Sequence, residues 1–113
     1  MNIMSKPPLG LKQPKAKPNP AYLRKVRDLN CCICEAFGLP QLSGTTAHHP
    51  ICGRFGNLKC PDHEAIPLCE GHHQGDFDTS KIAIHRDRAL WVETYGPDTD
   101  WIAVTQDKIA TTV

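Results

Sequence analysis

Cys31 and Cys34 are separated by two residues, and so are Cys69 and His72. That gap puts two donors on one turn, where both reach the same ion. Thiolate and imidazole together suit tetrahedral zinc. The two pairs therefore predict a structural zinc site made of Cys31, Cys34, Cys69 and His72. Six cysteines in 113 residues would also admit a disulfide framework. Disulfides need an oxidising compartment, however, and no charged segment followed by an apolar one opens the chain. Adjacent Cys31 and Cys32 also suit a set of three bridges poorly. Buried free thiols remain the alternative, and that is the reading for Cys32, Cys52 and Cys60. A second zinc on Cys52 and Cys60, with His63 nearby, stays open.

His48, His49 and His73 are not used by that zinc. Neighbouring side chains on a strand point to opposite faces, so one member of the His48-His49 pair can bind a metal while the other faces a substrate. His73 directly follows His72, and a zinc ion holding His72 would fix the backbone that places His73.

These residues need elements to carry them, and the apolar supply is thin: three Phe, two Trp, two Tyr and two Met. A core this small is marginal without a staple. Asn19 can cap a helix with Pro20 at its first position, and Tyr22, Leu23, Val26 and Leu29 follow at helical spacing. A helix of about two turns is expected there, with Tyr22 and Val26 docking on the body. Cys31 to Cys34 reads as a tight metal-binding turn, and Gln41 to Ile51 as a strand and turn. Gly53, Gly56, Asn57 and Pro61 mark a loop. Ala65 to Cys69 reads as extended, because the residue before a proline avoids the helical region. A turn or helix begins at Glu70. A helix is expected from Arg88 to Tyr95, stopped by Gly96-Pro97. Trp101 to Val104 is either a strand or a short helix. The fold class is α+β.

The formal net charge of +1 is a cancellation. Residues 1–28 carry Lys6, Lys12, Lys15, Lys17, Arg24, Lys25 and Arg27 against Asp28 alone, which is +6, and the remainder carries −5. Half of the ten prolines also lie in residues 1–20. Proline removes backbone donors, and this stretch has little to bury. Residues 1–19 are expected to form a disordered basic arm, and residues 20–113 a domain. Such an arm either neutralises nucleic-acid phosphates or merely solubilises the chain. No stretch approaches the roughly 20 apolar residues of a membrane span, so no membrane partner is expected. A cytoplasmic location is the expectation.

The combination of Cys31-x-x-Cys34, Ala47-His48-His49-Pro50 and Pro67-Leu68-Cys69-x-x-His72-His73 resembles the HNH, or ββα-metal, endonuclease pattern (also called His-Me finger). Within that superfamily the stretch from Cys31 through Gly75 and on to Tyr95-Gly96-Pro97-Asp98-Thr99-Asp100 is similar to the phage recombination-enhancement (Ref) proteins. Their nuclease domain works with the RecA recombinase. The likeness spans roughly residues 21–110.

The resemblance implies a zinc-stapled ββα-metal domain that hydrolyses DNA phosphodiester bonds in a bacterial host cell, with a RecA filament as a further partner. It implies His49 as general base, and His48 and His73 as ligands of a catalytic Mg2+ or other divalent cation, with His85 as a further ligand. The middle Asn of the motif does not match. Glu64 stands near the expected place, Asn57 is too early, and Asp62 or Glu64 would have to hold the base instead. DNA contacts fall to Lys12, Lys15, Lys17, Arg24, Lys25 and Arg27, with Arg54 or Lys59 on a flanking phosphate. The rival reading is a zinc-binding nucleic-acid module without catalysis. It shares Cys31, Cys34, Cys69, His72 and the arm, but has no use for His48, His49 and His73 together.

Overall fold

The computed structural model describes residues 17–52 and 60–111. Lys12, Lys15, Arg54, Lys59, Gly53, Gly56, Asn57 and most of the expected arm lie outside them.

Helix α1 (Pro20–Arg27) starts where Asn19 accepts the Tyr22 backbone N–H at 3.2 Å, with Pro20 in the first turn. It buries Val26 and leaves Arg24, Lys25 and Arg27 exposed. The cysteine pair lies on a short helix rather than a turn. Cys31 is the N-cap of α2 (Cys32–Phe37), and its sulfur accepts the Cys34 N–H at 3.5 Å. Gly38, at φ +67°, ends this helix in the left-handed region that glycine adopts without strain.

Strands β1 (Thr45–His48) and β2 (Ile66–Cys69) pair antiparallel, with Thr46 opposite Leu68 and His48 opposite Ile66. Alternation puts Thr46 and His48 on one face and directs Cys69 to the other. Pro67 fits in β2 because an edge strand can spare a backbone donor. Helix α3 (Glu70–His73) follows β2 with no intervening residue, and Cys69 is its N-cap.

The segment after α3 is folded back by the Glu70 carboxylate, which accepts the backbone N–H groups of Asp76, Phe77 and Asp78. Gly75 makes the bend at φ +71°, where a Cβ would lie 2.6 Å from that of Ala83. The returning chain then donates Ile84 N–H to the His72 carbonyl and His85 N–H to the His73 carbonyl. His85 is thereby delivered to the side of α3.

Helix α4 (Arg88–Tyr95) stops at Gly96-Pro97, as its sequence predicts, and is capped by the Asp87 side chain. A 3-10 turn (Asp98–Trp101) leads into α5 (Ile102–Thr111), which resolves the strand-or-helix alternative in favour of helix. A Lys108–Glu35 ion pair ties α5 to α2. The core cluster is Cys31, Cys32, Ile33, Cys34, Ile66, Leu68, Cys69, Ile84 and Trp91, so four of its nine members are cysteines. Among the described residues, no helix is long and apolar enough to cross a membrane.

Candidate metal centre and active site

The N-terminal end of α2 and the β2–α3 junction meet in the core, and they bring four donors to one point. The Nδ1 of His72 lies 3.3 Å from the sulfur of Cys69, 3.5 Å from that of Cys31 and 3.6 Å from that of Cys34. The sulfurs of Cys34 and Cys69 are 3.8 Å apart. A tetrahedral ion with zinc–sulfur bonds of about 2.3 Å and zinc–nitrogen bonds of about 2.0–2.1 Å has sulfur–sulfur edges of about 3.8 Å and sulfur–nitrogen edges of about 3.6 Å. The observed edges match. All four residues are buried, and the cluster can hold a metal ion such as zinc.

The far nitrogen of His72 faces the Tyr95 hydroxyl at 3.3 Å, which leaves Nδ1 turned toward the sulfurs. Without a cation the buried thiols oppose one another's ionisation. The hydrogen bond from the Cys31 thiol, against burial and with help from His72, pulls Cys69 down to about 3. The same bond and burial push Cys31 up. A bound dication reverses that conflict, because it favours all three thiolates.

A second group forms at the other face of the sheet. One donor atom each from His48, His73 and His85 lies within 4.8 Å of the others. Burial falls across the three: His48 is buried, His73 half-buried and His85 exposed, so the group opens to solvent. Their hydrogen bonds determine which nitrogens are free. Thr46 Oγ1 donates to the Leu68 carbonyl at 2.7 Å, so it must accept from His73 Nδ1–H at 2.8 Å. That leaves Nε2 of His73 with its lone pair. Burial, then the neighbouring His48 and His85, hold His73 down to about 4, so it is neutral and ligand-ready across the physiological range. His48 Nε2 lies 2.8 Å from Asp98 Oδ2, which a carboxylate accepts only from N–H, so Nδ1 of His48 is the free nitrogen. Three imidazoles suit a borderline ion such as Zn2+, Fe2+ or Ni2+ better than Mg2+, which takes oxygen ligands.

His49 stands at the end of β1, next to this group, and is close enough to His73 to lower its basicity further. Its Nε2 lies 2.8 Å from Asp62 Oδ1. The other Asp62 oxygen accepts the Asn19 backbone N–H at 2.8 Å. The carboxylate at His49 is therefore that of Asp62, placed by the 3-10 turn Asp62–Glu64. Nδ1 of His49 is left as a proton acceptor.

All the proposed ligands that lie in the described residues converge as two groups, Cys31, Cys34, Cys69 and His72 in one, and His48, His73 and His85 in the other. Cys52 and Cys60 join no ligand group among the described residues; Cys60 instead donates its thiol to the Pro50 carbonyl at 3.1 Å. Cys32 is buried among apolar side chains, and burial pushes its thiol up to about 12. Sequence reasoning did not assign Thr46, Tyr95 or Asp98 to the sites. Threonine two residues before a strand histidine shares its face, which is a usable signal for Thr46. Asp98 and Tyr95 fall in a stretch that carries the resemblance, but nothing in their spacing from the ligands assigns them a role.

No protein-family model, curated protein or solved structure matches the chain.

Proposed function

We propose that this chain is a metal-dependent endonuclease of the HNH type, related to the phage recombination-enhancement proteins, that hydrolyses DNA phosphodiester bonds. The observation that carries the reading is the pairing of His49, free at Nδ1 and held by Asp62, with the three-imidazole group beside it. The order β1, β2, α3, with His48 ending the first strand and His73 ending the helix, also supports a ββα-metal arrangement. The buried Cys31, Cys34, Cys69 and His72 group is the structural zinc site in this reading.

His49 takes a proton from water through Nδ1, while Asp62 keeps the ring aimed and stabilises the imidazolium that forms. Asp62 takes the role that the motif Asn has in the family. His48, His73 and His85 would hold a divalent cation, which would supply Lewis-acid stabilisation of the phosphate and of the departing 3′ oxygen. Arg24, Lys25 and Arg27 present an exposed basic face on α1, continuous in sequence with Lys17. DNA phosphates are the partner this charge suits.

The test is cleavage of plasmid and single-stranded DNA, with and without a RecA filament, across Zn2+, Mn2+, Ni2+ and Mg2+. His49→Ala is expected to lower the rate about 10²- to 10⁴-fold, the usual contribution of a positioned base, with zinc content and fold retained. Undiminished cutting by that variant refutes the assignment. DNA binding with no cutting under any condition leaves the non-catalytic module as the reading.

A further inference from the structure

Asp98 is the most deeply buried carboxylate among the described residues, fully shielded from solvent, and it lies far from the motifs that mark the site. Its Oδ2 accepts His48 Nε2–H at 2.8 Å and the Ile51 N–H at 2.7 Å. Its Oδ1 accepts the Cys52 N–H at 3.1 Å. Three donors thus converge on one side chain, and two are backbone groups three and four residues past the end of β1. A buried carboxylate is costly unless its lone pairs are filled, and here they are. The 3-10 turn after α4 delivers the residue, since Gly96-Pro97 stops that helix and turns the chain back toward the sheet.

We propose that Asp98 is the positioning residue of the histidine group: it fixes His48 as the Nε2–H tautomer, so that His48 meets a cation through Nδ1, and it clamps the β1 exit that carries His49. This rests on the reading of His48, His73 and His85 as a cation site. The geometry is a carboxylate–histidine–metal relay. A free imidazole exchanges its proton between the two nitrogens. The Asp98 carboxylate accepts from only one of them. His48 therefore cannot turn its Nε2 to the cation without leaving the buried Asp98 carboxylate short of its imidazole donor. Thr46 fixes His73 in the opposite sense, with Nε2 outward. The site thus presents one Nδ1 and one Nε2, and both rings are oriented before an ion arrives.

The test uses the full chain with zinc in the cysteine site, the Asp98→Asn variant and Co2+ as probe. Binding at the histidine group gives cobalt d–d absorption without the thiolate charge-transfer bands of a cysteine site, so the two sites are separable. Asparagine keeps the size but offers one acceptor and a donor that faces other donors. It is expected to weaken Co2+ binding about 10- to 100-fold, the usual effect of losing such a partner. Nitrogen NMR of the histidine rings, without added Co2+, is the second readout. The wild type should show His48 protonated on Nε2 alone, and Asp98→Asn should show exchange between tautomers.

Wild-type Co2+ affinity in Asp98→Asn overturns the proposal, as does a wild-type His48 protonated on Nδ1. A wild type that binds no Co2+ at the histidines overturns the cation-site reading instead, and the tautomer spectrum still decides whether Asp98 sets His48. Should Asp98→Asn fail to fold, the wild-type tautomer decides in the same way.

Discussion

Removing the metal from the cysteine site should unfold the body of this protein. The donors sit in the core itself: Cys31, Cys34 and Cys69 are three of the nine residues of the buried cluster. They join α2 to the β2–α3 junction inside a core whose other members are Cys32, Ile33, Ile66, Leu68, Ile84 and Trp91. Zinc bound by such a set contributes about 10–16 kcal/mol to folding near neutral pH. A domain of this size is stable by only about 5–15 kcal/mol in total. The metal term therefore equals or exceeds the whole margin, and the metal-free chain should not fold. The perturbations are exhaustive chelation and Cys69→Ser, which keeps the volume but replaces a soft ligand with a hard one. The assay is thermal unfolding by circular dichroism beside a measured zinc content. The expected result is at least one zinc per wild-type chain, and no cooperative transition after either perturbation. Cys32→Ala is the control. Cys32 adjoins a ligand but is not one, so this variant should keep its zinc and lose only about 1 kcal/mol, a typical loss for a small buried group. A cooperative melt at the wild-type temperature in zinc-free protein refutes the argument.

Three further outcomes follow from the geometry. His73, depressed to about 4 in the folded chain against about 6.5 unfolded, binds its proton more readily when unfolded, so its contribution to stability falls as pH drops from about 6.5 to 4 and levels off below. A ring titration by NMR without a second cation should give a midpoint near 4, and one at 6.5 or above refutes the stated environment. Deleting residues 1–18 removes four lysines, so the salt dependence of binding to duplex DNA should flatten by up to about 3.6 log units per log unit of salt, and an unchanged slope shows that these lysines do not touch DNA. Gly75→Ala should lower stability by at least about 1–2 kcal/mol, because an L side chain is disfavoured at φ +71° and its Cβ would overlap that of Ala83; denaturant unfolding measures the loss.

What could be read from the sequence was local. The Cys31–Cys34 and Cys69–His72 spacings each describe one turn, and one turn is what the chain provides. The helix at Arg88–Tyr95 was legible because Gly96-Pro97 marks its end, and the structure adds Asp87 as its cap. The Trp101 region was ambiguous for the converse reason. Its apolar run is short, and packing against the core and the Lys108–Glu35 contact, not periodicity, decides for helix. The resemblance left Asp62 and Glu64 open as partners of His49, since two residues of register in a 3-10 turn choose between them. His85 could be named from the resemblance, but not the means of placing it. That depends on Glu70 gathering three backbone N–H groups, a contact between residues six to eight apart that leaves no pattern. Asp98 lies in the stretch that carries the resemblance, but its contact with His48 was not legible, because a buried acid and a surface acid look alike in a sequence.

The bond between Asn19 and Asp62 roots the basic segment at the carboxylate that holds His49. A chain of 18 residues spans at most about 60 Å, whatever its path, at about 3.3 Å per residue. If those four lysines bind DNA as proposed, every phosphate they reach must lie within about that radius of the histidine. The anchor works as a leash of fixed length, so a footprint protected by residues 1–18 and any cut made by the same molecule should fall within about two turns of duplex of each other.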